Sequence, residues 1–263
     1  MKKCFLILLL SLWNSLVFAE IKPESYTIYS YHPDAPFYLP RQPLDLTRAW
    51  VDLFNAEHPE TQLELMQVSR PVLNEIVASG QPYLILWANA LWFKSRDPNV
   101  SATNNIFWDA DILISLSNKP INYSEPEDLI GLTIGGRTGY FYKGINNFVK
   151  QKKITRIDRL TDQDNFYQLT SHKIDAFIMS RSSFLYWQYT DPSKKNLFSA
   201  ISPHDAYTRS ILVSKRNQPL IPKLNAFIDS LKNNKTWQSY LTTWGVNELI
   251  NPFELELDEL PQY

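Results

Sequence analysis

Short strand-like runs alternate with segments of helical period along most of this chain, and the alternation stops once and then starts again. Tyr26 to Tyr31 is β-branched and aromatic and meets a turn at His32-Pro33-Asp34, which predicts a strand. Leu46, Ala49, Trp50, Leu53 and Phe54 then recur at helical spacing until His58-Pro59 stops them. Leu63 to Val68 alternates as a second strand, Pro71 opens a short helix that Gly80 closes, and Tyr83 to Trp87 is a near-continuous apolar run. Strands separated by single helices predict a parallel sheet covered on both faces.

A further strand at Ile112 to Leu116 leads into Ser117 to Glu127, whose Asn, Ser and Pro read as a crossover between lobes. The rhythm then restarts. Leu132 to Ile134, Arg156 to Arg159 and Ile174 to Met179 read as strands, and Tyr140 to Lys150, Phe166 to Thr170 and Ser182 to Tyr189 as helical. Ser210 to Ser214 returns to a strand, followed by helices at Ile221 to Leu231 and Thr236 to Trp244, the second stopped by Gly245. The expected organisation is one lobe built from residues 20–117 and 206–263, with a second lobe, 118–205, inserted between them.

The chain opens with Met1-Lys2-Lys3, an apolar run from Cys4 to Phe18, and small residues at Val17 and Ala19. These are the three parts of a secretory signal peptide, residues 1–19, cleaved after Ala19, so the expected location is the periplasm. The run is shorter than a membrane span and is broken by Ser11, Asn14 and Ser15. Cys4 is the only cysteine. Beyond it the chain can form no disulfide, no cysteine nucleophile and no thiolate metal site. Losing Lys2 and Lys3 leaves 24 of the 26 basic side chains against 27 acidic ones, a balance with no electrostatic footprint for nucleic acid.

Five of the seven glycines, Gly131, Gly135, Gly136, Gly139 and Gly144, crowd into one short stretch. Leu132 to Tyr140 reads there as a strand, a glycine-rich turn and a helix start, which would aim backbone N–H groups at an anionic ligand, above all a carboxylate. A tight turn capped by Thr138 explains the same glycines equally well. Neither a Walker loop nor a dinucleotide fingerprint is present. Arg96 follows the apolar strand, where ligands of open α/β sheets bind, and a guanidinium can grip a carboxylate through two hydrogen bonds. Pairing with Asp97 on the surface is its plainer reading, and Arg137 and Arg181 have similar standing. His32, His58, His172 and His204 are scattered singly, and no nucleophile elbow occurs. No catalytic residue, metal or cofactor is expected.

Together these segments resemble the bacterial extracellular solute-binding proteins of family 3, the polar amino-acid-binding type. The resemblance rests on Ala35-Pro36-Phe37, Asp45-Leu46, Glu127 to Gly135, His172 to Ala176, Lys215 to Pro219, Leu224-Asn225, Thr236-Trp237 and Trp244-Gly245. It implies an α/β fold of type II, with two lobes of mixed sheet, helices on both faces and a hinge of two crossovers. It also implies a monomer that holds a small polar, carboxylate-bearing solute and serves a membrane permease or a sensor. The ligand-binding residues it implies are Tyr31, Asp34, Phe37, Trp87, Ala88, Asn89, Arg96, Arg137, Thr138, Gly139 and Ser180. Ser180 stands where the family carries an amine-binding Asp. An enzyme on the same scaffold, a small-acid lyase or dehydratase, would use His32.

Overall fold

The computed structural model describes residues 23–251. The signal segment and the acidic tail from Pro252 lie outside the described residues. Glu24–Ser30 (β1), Leu46–Glu57 (α1), Thr61–Gln67 (β2), Arg70–Ala78 (α2) and Leu84–Ala88 (β3) follow one another as the alternation predicts. Asp45 starts α1 by accepting the N–H of Arg48 at 2.8 Å, and Pro71 stands in the first turn of α2. β1 pairs in parallel with both β2 and β3. β3 is buried at every position, which is why its sequence is apolar without alternation.

The second half repeats the plan with Thr133–Arg137 (β6), Ile145–Lys150 (α3), Thr155–Arg159 (β7), Asp162–Thr170 (α4), Ala176–Ser180 (β8) and Arg181–Thr190 (α5). β6 lies parallel to β7 and to β8. Two long strands, Phe107–Leu116 (β5) and Asp205–Val213 (β10), join the halves. The strand order is β2-β1-β3-β10-β5-β8-β6-β7. The two-residue Ser101–Ala102 (β4) lies beside β10, and Leu197–Ser199 (β9) beside β5. The helices Ile221–Ser230 (α6) and Lys235–Thr243 (α7) return to the first half.

Alternate side chains of each sheet feed cores on opposite faces. Leu84 and Leu86 join Trp50, Phe54, Phe227 and Trp237 from α1, α6 and α7, while Tyr83 and Ile85 join Leu73 and Val77 from α2. In the second half Ala176 and Ile178 meet Ile145 of α3, whereas Phe177 and Met179 meet Leu169 of α4 and Trp187 of α5. Each half therefore carries its own pair of cores, and the helices cover both faces.

The crossover lies elsewhere than in Ser117 to Glu127. That segment packs Tyr123, and part of Ile121, into the core around Ile134. The chain passes between the halves along Phe107 to Asp111 of β5, which pairs antiparallel with Asp205 to Arg209 of β10. Further along, β5 pairs with β8 and β9, and β10 pairs with β3 after a register shift between Ser210 and Leu212.

A buried ion pair fastens these two strands. Arg209 Nε donates to Asp109 Oδ2 at 2.6 Å, and the two side chains are 2% and 0% exposed. Asp109 also accepts the Ser182 hydroxyl at 2.7 Å and the N–H groups of Ser182 and Ala110, so all its lone pairs face donors. Removing one partner of such a pair leaves the other charge buried and uncompensated. We predict that Arg209→Met lowers unfolding free energy by about 3–5 kcal/mol in urea denaturation. Asp109→Leu combined with Arg209→Met should recover a substantial part, and equal losses in single and double variants would contradict the assignment.

Candidate functional site

A cavity of about 360 Å³ opens between the two halves at the carboxyl ends of their parallel strands. Such a volume suits a small ligand at the place where open α/β sheets bind theirs. From the first half it is walled by Tyr31, His32, Asp34 and Phe37 after β1, Arg70 and Asn74 of α2, and Leu91, Trp92, Ser95 and Arg96 after β3. The second half supplies Arg137, Gly139 to Tyr142, Asp162 and Ile178 to Ser180. Asp111, Asp205, Tyr207 and Arg209 of the linking strands form the floor.

Seven of the eleven expected residues thus share one cavity: Tyr31, Asp34, Phe37, Arg96, Arg137, Gly139 and Ser180. Trp87, Ala88, Asn89 and Thr138 are outside its wall. The Trp87 ring is wholly buried, stacked on Phe107 at 5.1 Å with its Nε1–H donating to Thr47. Its backbone sits at φ +64°, a sparsely populated region for a bulky residue, and this turns its carbonyl to the cavity floor. That carbonyl accepts Arg209 Nη1 at 2.9 Å and lies 3.1 Å from His32 Nε2. Ala88 is buried core, Asn89 spends its amide on Thr208 and Leu91, and Thr138 is an exposed turn residue.

The glycine-rich turn does not present an anion cradle. The N–H groups of Arg137, Thr138 and Tyr140 donate to Tyr142 Oη, Arg159 O and Arg137 O. No helix begins there, since α3 starts only at Ile145. The turn instead surrounds a cation: Arg156 Nη2 donates to the carbonyls of Arg137 and Tyr140 at 3.2 and 2.9 Å. A Cβ on Gly136 would come within 2.8 Å of Arg156 Nε, and one on Gly135 within 2.8 Å of Phe177 Cβ. These glycines are required by close approach within the protein.

Asp34 and Arg137 meet each other across the cavity. Arg137 Nη1 donates to Asp34 Oδ2 and, at 3.2 Å, to Asp162 Oδ1, while the N–H of Asp162 donates to Asp34 Oδ1 at 3.0 Å. Asp162 is the first residue of α4, so Asp34 takes one of the free N–H groups of that helix from the opposite half. Burial, and for Asp162 the neighbouring Asp34 charge as well, raises both carboxyls above their ordinary range. Arg181, by contrast, pairs with Glu248 away from the cavity.

Arg96 is exposed at the cavity mouth, and its side chain has no polar partner among the described residues; Asp97 accepts the Tyr83 hydroxyl instead. Arg70 lies over Phe93 and Tyr31 and donates to Asn74 and to the Trp92 carbonyl. His32 is buried, and desolvation followed by the Arg209 charge holds it neutral, far below its ordinary pKa. Asp111 accepts the Tyr207 hydroxyl at 2.8 Å, and burial pushes its carboxyl up to about 7. The floor residues were missed because charges inside strands interrupt the apolar pattern. Asp109 and Asp111, like Asp205, Tyr207 and Arg209, nevertheless stand at same-face spacing, and that is the signal they offer.

Solved structures of similar shape exist at low sequence identity. An ancestral arginine-binding protein bound to arginine superposes with a TM-score of 0.64 at 16% identity, over 84% of this chain and 97% of that one. The ligand-binding core of GluR0 from Nostoc punctiforme, in complex with L-glutamate, gives 0.66 at 17% identity, over 85% and 100%. The substrate-binding protein of an amino acid ABC transporter gives 0.63 at 14%, over 84% and 98%. No family model matches the chain, and no curated protein matches it. The fold is the two-lobed, type II fold of periplasmic binding proteins.

Asp111 carries a consequence for stability. A carboxyl raised from 3.8 to about 7 holds its proton more tightly in the folded chain than in the unfolded one. Its contribution therefore falls as pH rises from about 4 to about 7 and stays unfavourable above. Asp111→Asn should raise stability by about 2 kcal/mol at pH 8 and leave it nearly unchanged at pH 4.5, read from thermal unfolding at both pH values. An equal effect at both would show that Asp111 does not titrate in this range.

Proposed function

We propose that this chain is a solute-binding protein that captures a small, polar, amino-acid-like molecule between its lobes. The observation that carries the reading is the cavity, walled by both halves and floored by the strand pair that joins them. A ligand touching both walls stabilises the closed arrangement by the affinity it has for that arrangement over an open one. The structural neighbours, an arginine-binding protein, a glutamate-binding receptor core and an ABC-transporter substrate-binding protein, support a solute of this class. Their non-enzymatic roles support binding without turnover.

The lobes comprise roughly residues 23–106 with 210–251, and 112–204, hinged on the paired segments of β5 and β10. Contacts to the solute come from Tyr31, Phe37, Arg96, Gly139 and Ser180, with Asp34 and Arg137 closing the far side. The acting site is the periplasm, reached by cleavage after Ala19, and the partner is a membrane permease. Arg96 is the free cation at the mouth, suited to a carboxylate on the solute.

A thermal-shift screen of the protein against amino acids, dicarboxylates and small organic acids at millimolar concentration tests the reading. A ligand present at a hundred times its Kd stabilises by about 2.7 kcal/mol. At least one compound should raise the unfolding midpoint by several degrees, and Arg96→Ala should weaken it. A flat response across the whole set would contradict a solute-binding role.

A further inference from the structure

Four carboxylates and four guanidiniums line the cavity, but they are not matched one to one. Arg209 is consumed by Asp109, the Trp87 carbonyl and the Tyr207 hydroxyl. Arg137 is shared between Asp34 and Asp162. Arg70 is spent on Asn74 and the Trp92 carbonyl. None of these arginines donates to Asp111. Its carboxylate accepts one hydrogen bond, from Tyr207 Oη, through a single oxygen.

Asp111 is half-buried at the cavity floor, and a carboxylate partly withdrawn from water without a cation gains from a positive group that arrives beside it. Asp111 lies on β5 between Ser180 of β8 and Asp205 of β10, each its direct cross-strand partner, and it faces the cavity with Ser180 and Tyr207. Adjacent residues in such pairs lie roughly 5 Å apart, so a group seated on Asp111 also lies beside Ser180, whose hydroxyl caps α5 by accepting from Ser183 N–H and Ser182 Oγ. Aromatic rings stand around it: Tyr207 packs edge-on to Trp92 at 4.8 Å, and Tyr31, Tyr140 and Tyr142 line the same cavity. Ring faces attract cations.

A second, independent observation points the same way. The anion seat of the second half, formed by the Arg137 guanidinium and the N–H at the start of α4, is already filled by Asp34 of this chain. A solute cannot lead with an anion there without displacing Asp34.

The geometry points to a solute that carries a cationic nitrogen, an ammonium or a guanidinium, bound by Asp111 at the cavity floor between Tyr207 and Ser180. This rests on the solute-binding reading and specifies which part of the solute the floor recognises. Asp111 replaces water with a charge-assisted hydrogen bond to the ligand, and the ring walls exclude solvent around it.

Isothermal titration of the full chain and of Asp111→Asn, with L-arginine, L-lysine, agmatine and putrescine as cationic probes and succinate, glutarate and glucose as probes without a cation, tests the assignment. At least one cationic probe should bind, and Asp111→Asn should weaken it tenfold or more while its urea unfolding remains a single cooperative transition. The Asn side chain keeps the shape and removes the charge, so a loss of binding in a folded variant reports the charge. Binding of succinate, glutarate or glucose with none of the cationic probes, or cationic binding unchanged within twofold in Asp111→Asn, would overturn the inference and leave the solute-binding reading standing. Silence across all seven probes would overturn both.

Discussion

The buried pair of Asp109 and Arg209 is the constraint around which the rest of the molecule is arranged. The two strands that carry the chain between the halves must cross where each sheet ends, so their backbones have neighbours on both sides. Asp109 and Arg209 at that crossing are buried, and a charge is tolerated there only with a full set of partners. Arg209 spends its fork on Asp109, the Trp87 carbonyl and Tyr207, and Asp109 holds Ser182 at the start of α5. Trp87 is kept at positive φ by this arrangement, with its ring stacked on Phe107 and its carbonyl turned to Arg209. One ion pair thereby positions β3, β5, β10 and α5 relative to one another.

The cavity follows from the same crossing. Because every parallel strand ends toward the seam between the halves, the loops after β1, β3 and β6 and the start of α4 converge on it. Asp34 and Arg137 then close it on the side away from the linking strands. They join the halves within the protein, with a carboxylate of one half held by a guanidinium and a helix terminus of the other. Any solute that binds between the halves shares the seam with that contact. Among the described residues that line the cavity, Asp111 at the floor and Arg96 at the mouth make no ion pair.

Much of the fold was legible because burial imposes period. The apolar run at Tyr83 to Trp87 and the helical spacing from Leu46 to Phe54 state their faces directly, and β3 and α1 form where those patterns lie. The linking strands were only half legible. Ile112 to Leu116 and Ser210 to Ser214 show as strands, but Asp109, Asp111 and Arg209 break the apolar rhythm of the rest, so the pattern points to Ser117 to Glu127 for the crossover. Local pattern cannot say that a charge at position 109 meets one at position 209. The glycine cluster shows the complementary limit. At Gly135 and Gly136 the groups that approach the backbone are Arg156 and core side chains distant in sequence, while Gly131 and Gly139 meet nothing and serve turns at positive φ.

On the solute-binding reading the two halves move about β5 and β10, and Asp34 helps hold them together in the absence of a guest. Spin labels at Met66 and Leu160, exposed positions near the ends of β2 and β7, would report the separation by electron–electron double resonance in a chain whose Cys4 is replaced by serine. The distance should lengthen in Asp34→Ala and shorten again when a solute that raises the unfolding midpoint is added. Identical distance distributions in the parent chain, in Asp34→Ala and in the presence of that solute would contradict it.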